Sequence, residues 1–199
     1  MSEMFEGNSE IEQPKYPEIS QELIDMGSAD REMREKSEKD INEFDEELDR
    51  CNTQKLKEIV NDIGWPSISA VGRQASSDAW LVVQHATLEK DVKPSDKLVF
   101  NDEQFALQDL NFQEECLRLM SALPEDEVQA WQVALLTDRV KMNRGEDQVY
   151  GTQFSHGKVW PIEDLENLDA RRGLVGLEPF AEYQERMLER YARQSKKTI

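Results

Sequence analysis

Apolar residues recur at spacings of three and four along most of this chain, and polar stretches separate them, a pattern that predicts helices. Ile19, Leu23 and Met26 share one face, the run from Asp30 to Asp40 is almost all charge, and Ile41, Phe44 and Leu48 resume the stripe. One long, mostly exposed helix, or two in series, is expected there. The next helix carries Leu56, Ile59, Val60 and Ile63, with Asn52 or Thr53 placed to cap it. Gly64 stands where a left-handed residue ends a helix, and Pro66 bars continuation. From Ala75 to Leu88 the chain is apolar on most sides, as in a helix inside a bundle. Its β-branched residues would also suit a buried strand, but its length favours helix. Residues 89–100, with Pro94, read as a loop.

Asn101-Asp-Glu-Gln104 has the form of a capping box ahead of Phe105, Leu110, Phe112, Leu117, Met120 and Leu123. Pro124 and the acids after it suit a new first turn, opening a helix from about Val128 to Met142. After Gly145, the run Gln148 to Phe154, a Ser-His-Gly turn and Lys158 to Pro161 read as a short β-hairpin. A last helix spans about Pro179 to Gln194, with a basic end that suits its dipole. The expected fold is mainly α, a helical bundle-like single domain over residues 18–194 with one short β-hairpin. Residues 1–17, acidic and carrying Pro14 and Pro17, read as a disordered lead-in, and 195–199 as a basic tail.

Charge narrows the partners. The 199 residues include 42 Asp and Glu against 24 Lys and Arg, a net charge of −18. Phosphate backbones and anionic membranes both require clustered cations, so neither nucleic acid nor a membrane surface is an expected partner; a basic protein is. Cys51 and Cys116 lie far apart with no metal or disulfide spacing, which suits reduced thiols. The start, Met1 to Gly7, has no basic or apolar signal region, and no run approaches the ~20 apolar residues of a membrane span. The expected location is the cytoplasm.

Candidate chemistry concentrates between Leu136 and Gln153, where an apolar helix ends in Asp138-Arg139 and is followed by Gln148, Tyr150, Thr152 and Gln153. Buried polar groups must find partners or cost a few kcal/mol, so such crowding points to a polar site. Asp138 shares its helix face with Trp131, Ala134, Leu135 and Met142. A carboxylate there must be paired, and Arg172, Arg34 or His85 are better placed for it than adjacent Arg139. Strand alternation would put Gln148, Tyr150 and Thr152 on one face and Val149, Gly151 and Gln153 on the other. His85 lies in an otherwise apolar helix beside Gln84, and its imidazole could serve as acid, base or ligand, or be a satisfied core histidine. Arg171-Arg172 could grip a phosphate or carboxylate, or join surface salt bridges.

Several of these segments together resemble a bacterial family of uncharacterised proteins, a domain of unknown function. The resemblance rests on Gly64-Trp-Pro66, Val71-Gly72, Gln84-His-Ala86, Leu136-x-Asp-Arg-Val140, Gln148-x-Tyr-Gly-Thr-Gln153, Arg171-Arg172 and Gly176-Leu177 through Tyr183. Asp30-Arg31 and Arg34 match the family's first helix more loosely, so coverage would run from about residue 20 to 185. Thr87 departs from the acidic residue the family usually has after Gln-His-Ala. The resemblance implies a site and no activity.

Two functional readings follow. The first is a hydrolase or transferase acting on a polar small molecule or exposed group, with His85 and Asp138 catalytic. Gln84, Arg139, Gln148, Tyr150, Thr152, Gln153 and Arg172 would then bind substrate. The second is a non-enzymatic binding or interaction domain in which the same polar set is a structural network. No phosphate-binding loop, dinucleotide fingerprint, nucleophile elbow or His-Glu-x-x-His is present, and no cofactor is indicated. With only His85 and His156, a multi-histidine metal site is excluded, while a carboxylate site for a hard cation stays open.

Overall fold

The computed structural model describes residues 13–90, 92–93, 108–155 and 157–195. Among them the chain is mainly helical, with one two-stranded antiparallel sheet. Helix α1 (Pro17–Ser37) opens on a proline, whose missing N–H would have had no helical acceptor anyway. It buries Leu23, Met26, Gly27, Asp30 and Met33, one stripe along its length. A turn at Ile41–Glu43 separates it from α2 (Glu46–Ile63), so the expected long segment is two helices in series. Asp45 caps α2 by accepting from the Glu47 and Leu48 amides at 3.0 and 3.1 Å. Asn52 and Thr53, the caps expected from sequence, instead lie inside α2 and are buried. At its end Gly64 adopts the positive φ, 75°, that its position predicts, but with ψ −162° it is extended rather than left-handed helical. Tyr16, placed in the lead-in by sequence, donates its amide to Ala70 at 2.9 Å, so ordered structure begins ahead of α1.

The turn of helix α3 (Ile68–Val71) leads into α4 (Arg73–Gln84), which ends at His85 rather than at Leu88. Thr87 then forms an isolated bridge with Gln108. The proposed capping box at 101–104 lies outside the described residues; α5 (Leu110–Ser121) is capped by Asp109, which accepts from the Phe112 amide at 3.1 Å. Helix α6 (Ala130–Asn143) follows. Leu23, Leu56, Val82, Val83, Cys116, Met120 and Leu136, drawn from five of these helices, meet in one core. Helix α1 packs on α4 so closely that a Cβ at Gly27 would sit 2.4 Å from the Asp78 carboxylate. Trp80 of α4 meets Trp131 of α6 edge-on at 4.8 Å and donates to the Gln132 carbonyl at 3.0 Å.

The sheet is smaller than its sequence suggests. Strands β1 (Phe154–Ser155) and β2 (Lys158–Val159) pair, while residues 148–153 form an irregular loop. The expected alternation over 148–153 is therefore overturned: Gln148, Thr152 and Gln153 are all buried. Gly151 breaks the extended backbone at φ 69°, and a Cβ there would meet Ile162 and Phe180 at 2.9 Å. Helices α7 (Leu168–Leu174) and α8 (Phe180–Ser195) complete the described chain. Phe154 packs on Tyr183 and Tyr191 of α8, with centroids 5.9 and 6.2 Å away.

Candidate functional site

The polar residues picked out by sequence fall into two groups on either side of α6. The first is organised by Asp138, whose side chain is fully buried. Its Oδ1 accepts from the Val149 and Tyr150 amides at 2.8 and 3.0 Å. Its Oδ2 accepts from the Thr152 amide and hydroxyl, both at 2.9 Å. Burial pushes the Asp138 carboxyl above its ordinary value, against the pull of those donors at Tyr150, Thr152 and Val149. No cation pairs with it among the described residues; the loop backbone folds around it instead.

The rest of this group holds the same loop. Gln148 donates to the Gln153 and Trp160 carbonyls at 3.1 and 2.7 Å and accepts from the Gln153 amide at 2.8 Å. Gln153 donates to the Thr152 hydroxyl at 3.0 Å. Arg172 is wholly buried, donates to the Glu178 carbonyl at 2.7 Å and to the Tyr150 carbonyl, and lies 4.9 Å from the Tyr183 ring centroid. Arg171 donates to the Val149 carbonyl at 3.0 Å and pairs with Asp164 at 3.0 Å. Both arginines grip protein acceptors. Tyr150 lies partly buried in the loop, and its phenol is held above its ordinary value by burial and by Asp138.

The second group sits where α1, α2, α4 and α6 approach one another. His85, at the end of α4, places Nδ1 3.3 Å from both carboxylate oxygens of Asp30 on α1. Asp30 is buried and is held from the other side by Arg34, whose Nε donates to its two oxygens at 3.0 and 3.1 Å. Arg34 also reaches Asp49 on α2 at 2.7 Å. Two buried carboxylates thus share one guanidinium. Burial raises both, but His85 and Arg34 together hold Asp30 below its ordinary value. Asp49 has only Arg34 and a neighbouring anion in Asp30, so burial wins and its carboxyl is pushed up to about 6.

The His85 imidazole is itself lowered, by burial first and then by the charges of Arg34 and Arg139, against the opposing hold of Asp30. Lowered from an ordinary value already below 7, it is neutral near pH 7, and with 26% of its side chain exposed it is still reachable. Arg139 follows Asp138 on α6, and its charge acts on His85 of this second group and is itself acted on by Arg34 and, from α8, by Tyr183 and Tyr191. Gln84 is buried beside His85, and its Nε2 has no hydrogen-bond partner. The structure therefore brings Asp138, Gln148, Thr152, Gln153 and Arg172 together, and places His85 elsewhere, where the charge of Arg139 acts on it; α6 and Tyr183 link the two sets.

Sequence reasoning missed Asp30 and Asp49 as members of the site. Asp30 was legible as the next position on the Leu23, Met26 stripe, one turn ahead of Arg34, and Asp49 as the position two turns ahead of Leu56 on the α2 stripe.

Asp49 gives this cluster a measurable pH signature. Its folded value lies above the ordinary 3.8, so its stabilising contribution is complete below about pH 4 and is lost as pH rises through about 6. Against Asp49→Asn, the wild type should gain stability on going from pH 7 to pH 4, by up to roughly 3 kcal/mol. Urea unfolding of both proteins across that range checks it; a pH-independent difference would contradict the charge sharing.

Over residues 99–196 the chain matches a family of unknown function (DUF6624). The matched segment contains Asp138, Arg139, the loop, Arg171, Arg172 and α8, whereas His85, Asp30 and the upstream motifs lie outside it. The resemblance read from sequence reached back to about residue 20, further than this match. No curated protein and no solved structure matches the chain. Among the described residues no helix is long and apolar enough to cross a membrane, and no group of three or more His, Cys, Asp or Glu could hold a metal ion.

Proposed function

We propose that the protein is a hydrolase or transferase acting on a polar small molecule or an exposed polar group, with His85 as its general base. The observation that carries this reading is the chain Arg34–Asp30–His85. A carboxylate at Nδ1 favours the tautomer with the proton on Nδ1, which leaves Nε2 as a lone pair. No described residue hydrogen-bonds Nε2. A neutral, oriented and partly exposed imidazole of this kind can take a proton from water or from a substrate hydroxyl, an effect worth roughly 10²–10⁴-fold in rate. Asp30 then takes the orienting role assigned to Asp138 from sequence, and Arg34 fixes Asp30 in turn. Arg139, whose charge acts on His85, and Gln84, its neighbour in the chain, serve as substrate-binding groups. Asp138, Gln148, Thr152, Gln153 and Arg172 act as positioning residues: they hold the loop and, through α6, the placement of Arg139.

The second reading, a non-enzymatic interaction domain, is favoured by one observation. The oxygens of Asp138 and the buried donors of Arg172 are largely engaged with the chain's own backbone, as in a structural network.

Full-length protein tested against carboxylic esters, phosphate esters and nucleotides decides between them. The enzyme reading expects turnover in one class, lowered by about 100-fold or more in His85→Asn, whose melting temperature stays within a few degrees of the wild type. The rate should hold level through neutral pH and fall only on the acid side of the usual histidine range, as His85 takes up its proton. Absence of turnover in all three classes, or equal rates in wild type and His85→Asn, would leave the interaction domain.

A further inference from the structure

We propose that Arg139 anchors an oxyanion, the phosphate or carboxylate group of a ligand, next to His85. This rests on the preceding reading only in calling that ligand a substrate; binding of the anion does not require turnover.

Among the arginines that are at least partly buried, Arg139 is set apart by having no protein partner in the described residues. In a chain with 42 acidic residues, cations find carboxylates easily. Arg31 holds Asp78, Arg34 holds Asp30 and Asp49, and Arg144 holds Glu114. Arg172, wholly buried where Arg139 is only partly so, uses backbone carbonyls through Nε and Nη1, and its Nη2 is enclosed without an acceptor. Arg139 makes no ion pair and no side-chain hydrogen bond among the described residues, and its Nε is enclosed without an acceptor. An enclosed N–H left without an acceptor costs about 1–3 kcal/mol, more for a charged group. The cost is visible in its proton affinity: burial, with Arg34 behind it, pulls the guanidinium down to about 10.

What would relieve that cost is a compact anion. A guanidinium offers a planar fork of donors that matches two oxygens of a phosphate or carboxylate. The other unsatisfied groups near the cluster lean the same way. Gln84 Nε2, beside His85, is an enclosed donor without an acceptor, and so is Asn52 Nδ2, one turn along α2 from Asp49. Donors in surplus call for a ligand rich in acceptor oxygens. A neutral His85 adds no charge to repel or hold the anion, and its Nε2 would face the neighbouring atoms of the ligand.

Arginine side-chain NMR on the full-length wild type, in a buffer without oxyanions, tests this with inorganic phosphate and with succinate as separate probes. At least one should shift the Arg139 Nε–H and His85 ring signals saturably at millimolar concentration; which one responds identifies the headgroup. Arg139→Gln should weaken that probe by about tenfold or more, and Arg139→Lys by less. Without ligand, Arg139→Gln should melt above the wild type, because an unpaired enclosed charge is gone. The proposal is overturned if neither probe moves those signals, if Arg139→Gln responds like the wild type, or if it melts several degrees lower. Failure of Arg139→Gln to fold would overturn it as well. His85→Asn separates the two readings: it should keep oxyanion binding within about threefold, a change under 1 kcal/mol, while losing turnover. Binding without turnover in any variant would remove only the enzyme, and turnover without an oxyanion response would remove only this anchor.

Discussion

Asp138→Ala should lower the stability of the protein by about 3–5 kcal/mol, one of the two largest single losses expected here. The carboxylate gains little from its own charge, since burial pushes its proton affinity up rather than down. The loss comes from the groups it leaves behind. The Val149, Tyr150 and Thr152 amides and the Thr152 hydroxyl all end on Asp138, whose side chain is fully buried. Asp138→Asn keeps the shape but turns one acceptor into a donor facing other donors, so about 2 kcal/mol should be lost even without a cavity. Chemical unfolding measures the totals. Hydrogen exchange at Val149, Tyr150 and Thr152 shows whether the loop opens first, as a local clamp requires. A loss under about 1 kcal/mol for Asp138→Ala would mean that the loop finds other acceptors.

Why Asp138 was visible in the sequence while its partner was not is a matter of what periodicity records. A carboxylate on a stripe of Trp131, Ala134 and Met142 announces burial, because helical spacing is enough to place it on the inner face. Nothing in that spacing says whether the compensating donor is a side chain or a backbone amide, and charge counting favoured arginine. The loop itself was misread for a related reason. Alternating polar side chains over Gln148 to Gln153 imitate a strand, but the amides of Val149, Tyr150 and Thr152 turn inward to one acceptor, and Gly151 supplies the positive φ that permits it.

The helices were legible because apolar stripes at Leu56, Ile59, Val60 and Ile63, or along α6, leave few other solutions, and Gly64 with Pro66 marks an end chemically. The His85 cluster was legible only in part. His85 stood out by type, but the run Asp30 to Asp40 reads as solvated charge, and only its place on the Leu23, Met26 stripe separates Asp30, which is buried, from Glu32 or Lys36, which pair at the surface. Contact between α1 and the end of α4 is a tertiary fact, made possible at Gly27, where any side chain would collide with Asp78.

Arg172→Met should cost a further loss of similar size, about 3–5 kcal/mol, and should not add to that of Asp138→Ala. Arg172 is fully buried; its removal strands the carbonyls of Glu178 and Tyr150 and takes a cation from between the rings of Phe180 and Tyr183, 5.7 and 4.9 Å from its centre. Lysine cannot repair this, because one ammonium group cannot span two carbonyls held apart by the guanidinium fork. The coupling follows from Tyr150. Its amide ends on Asp138 and its carbonyl on Arg172, so one residue's backbone is held at both ends by opposite charges that do not touch each other. Once either hold is lost the loop can move, and the other is worth less. The double variant should therefore be more stable than the two losses together imply, by roughly 1–3 kcal/mol. Full additivity in a double-mutant cycle would show that the two residues stabilise separate parts of the fold. Sub-additivity would show that the acid and the base singled out by sequence do form a pair, with the backbone of Tyr150 between them where an ion pair would ordinarily close.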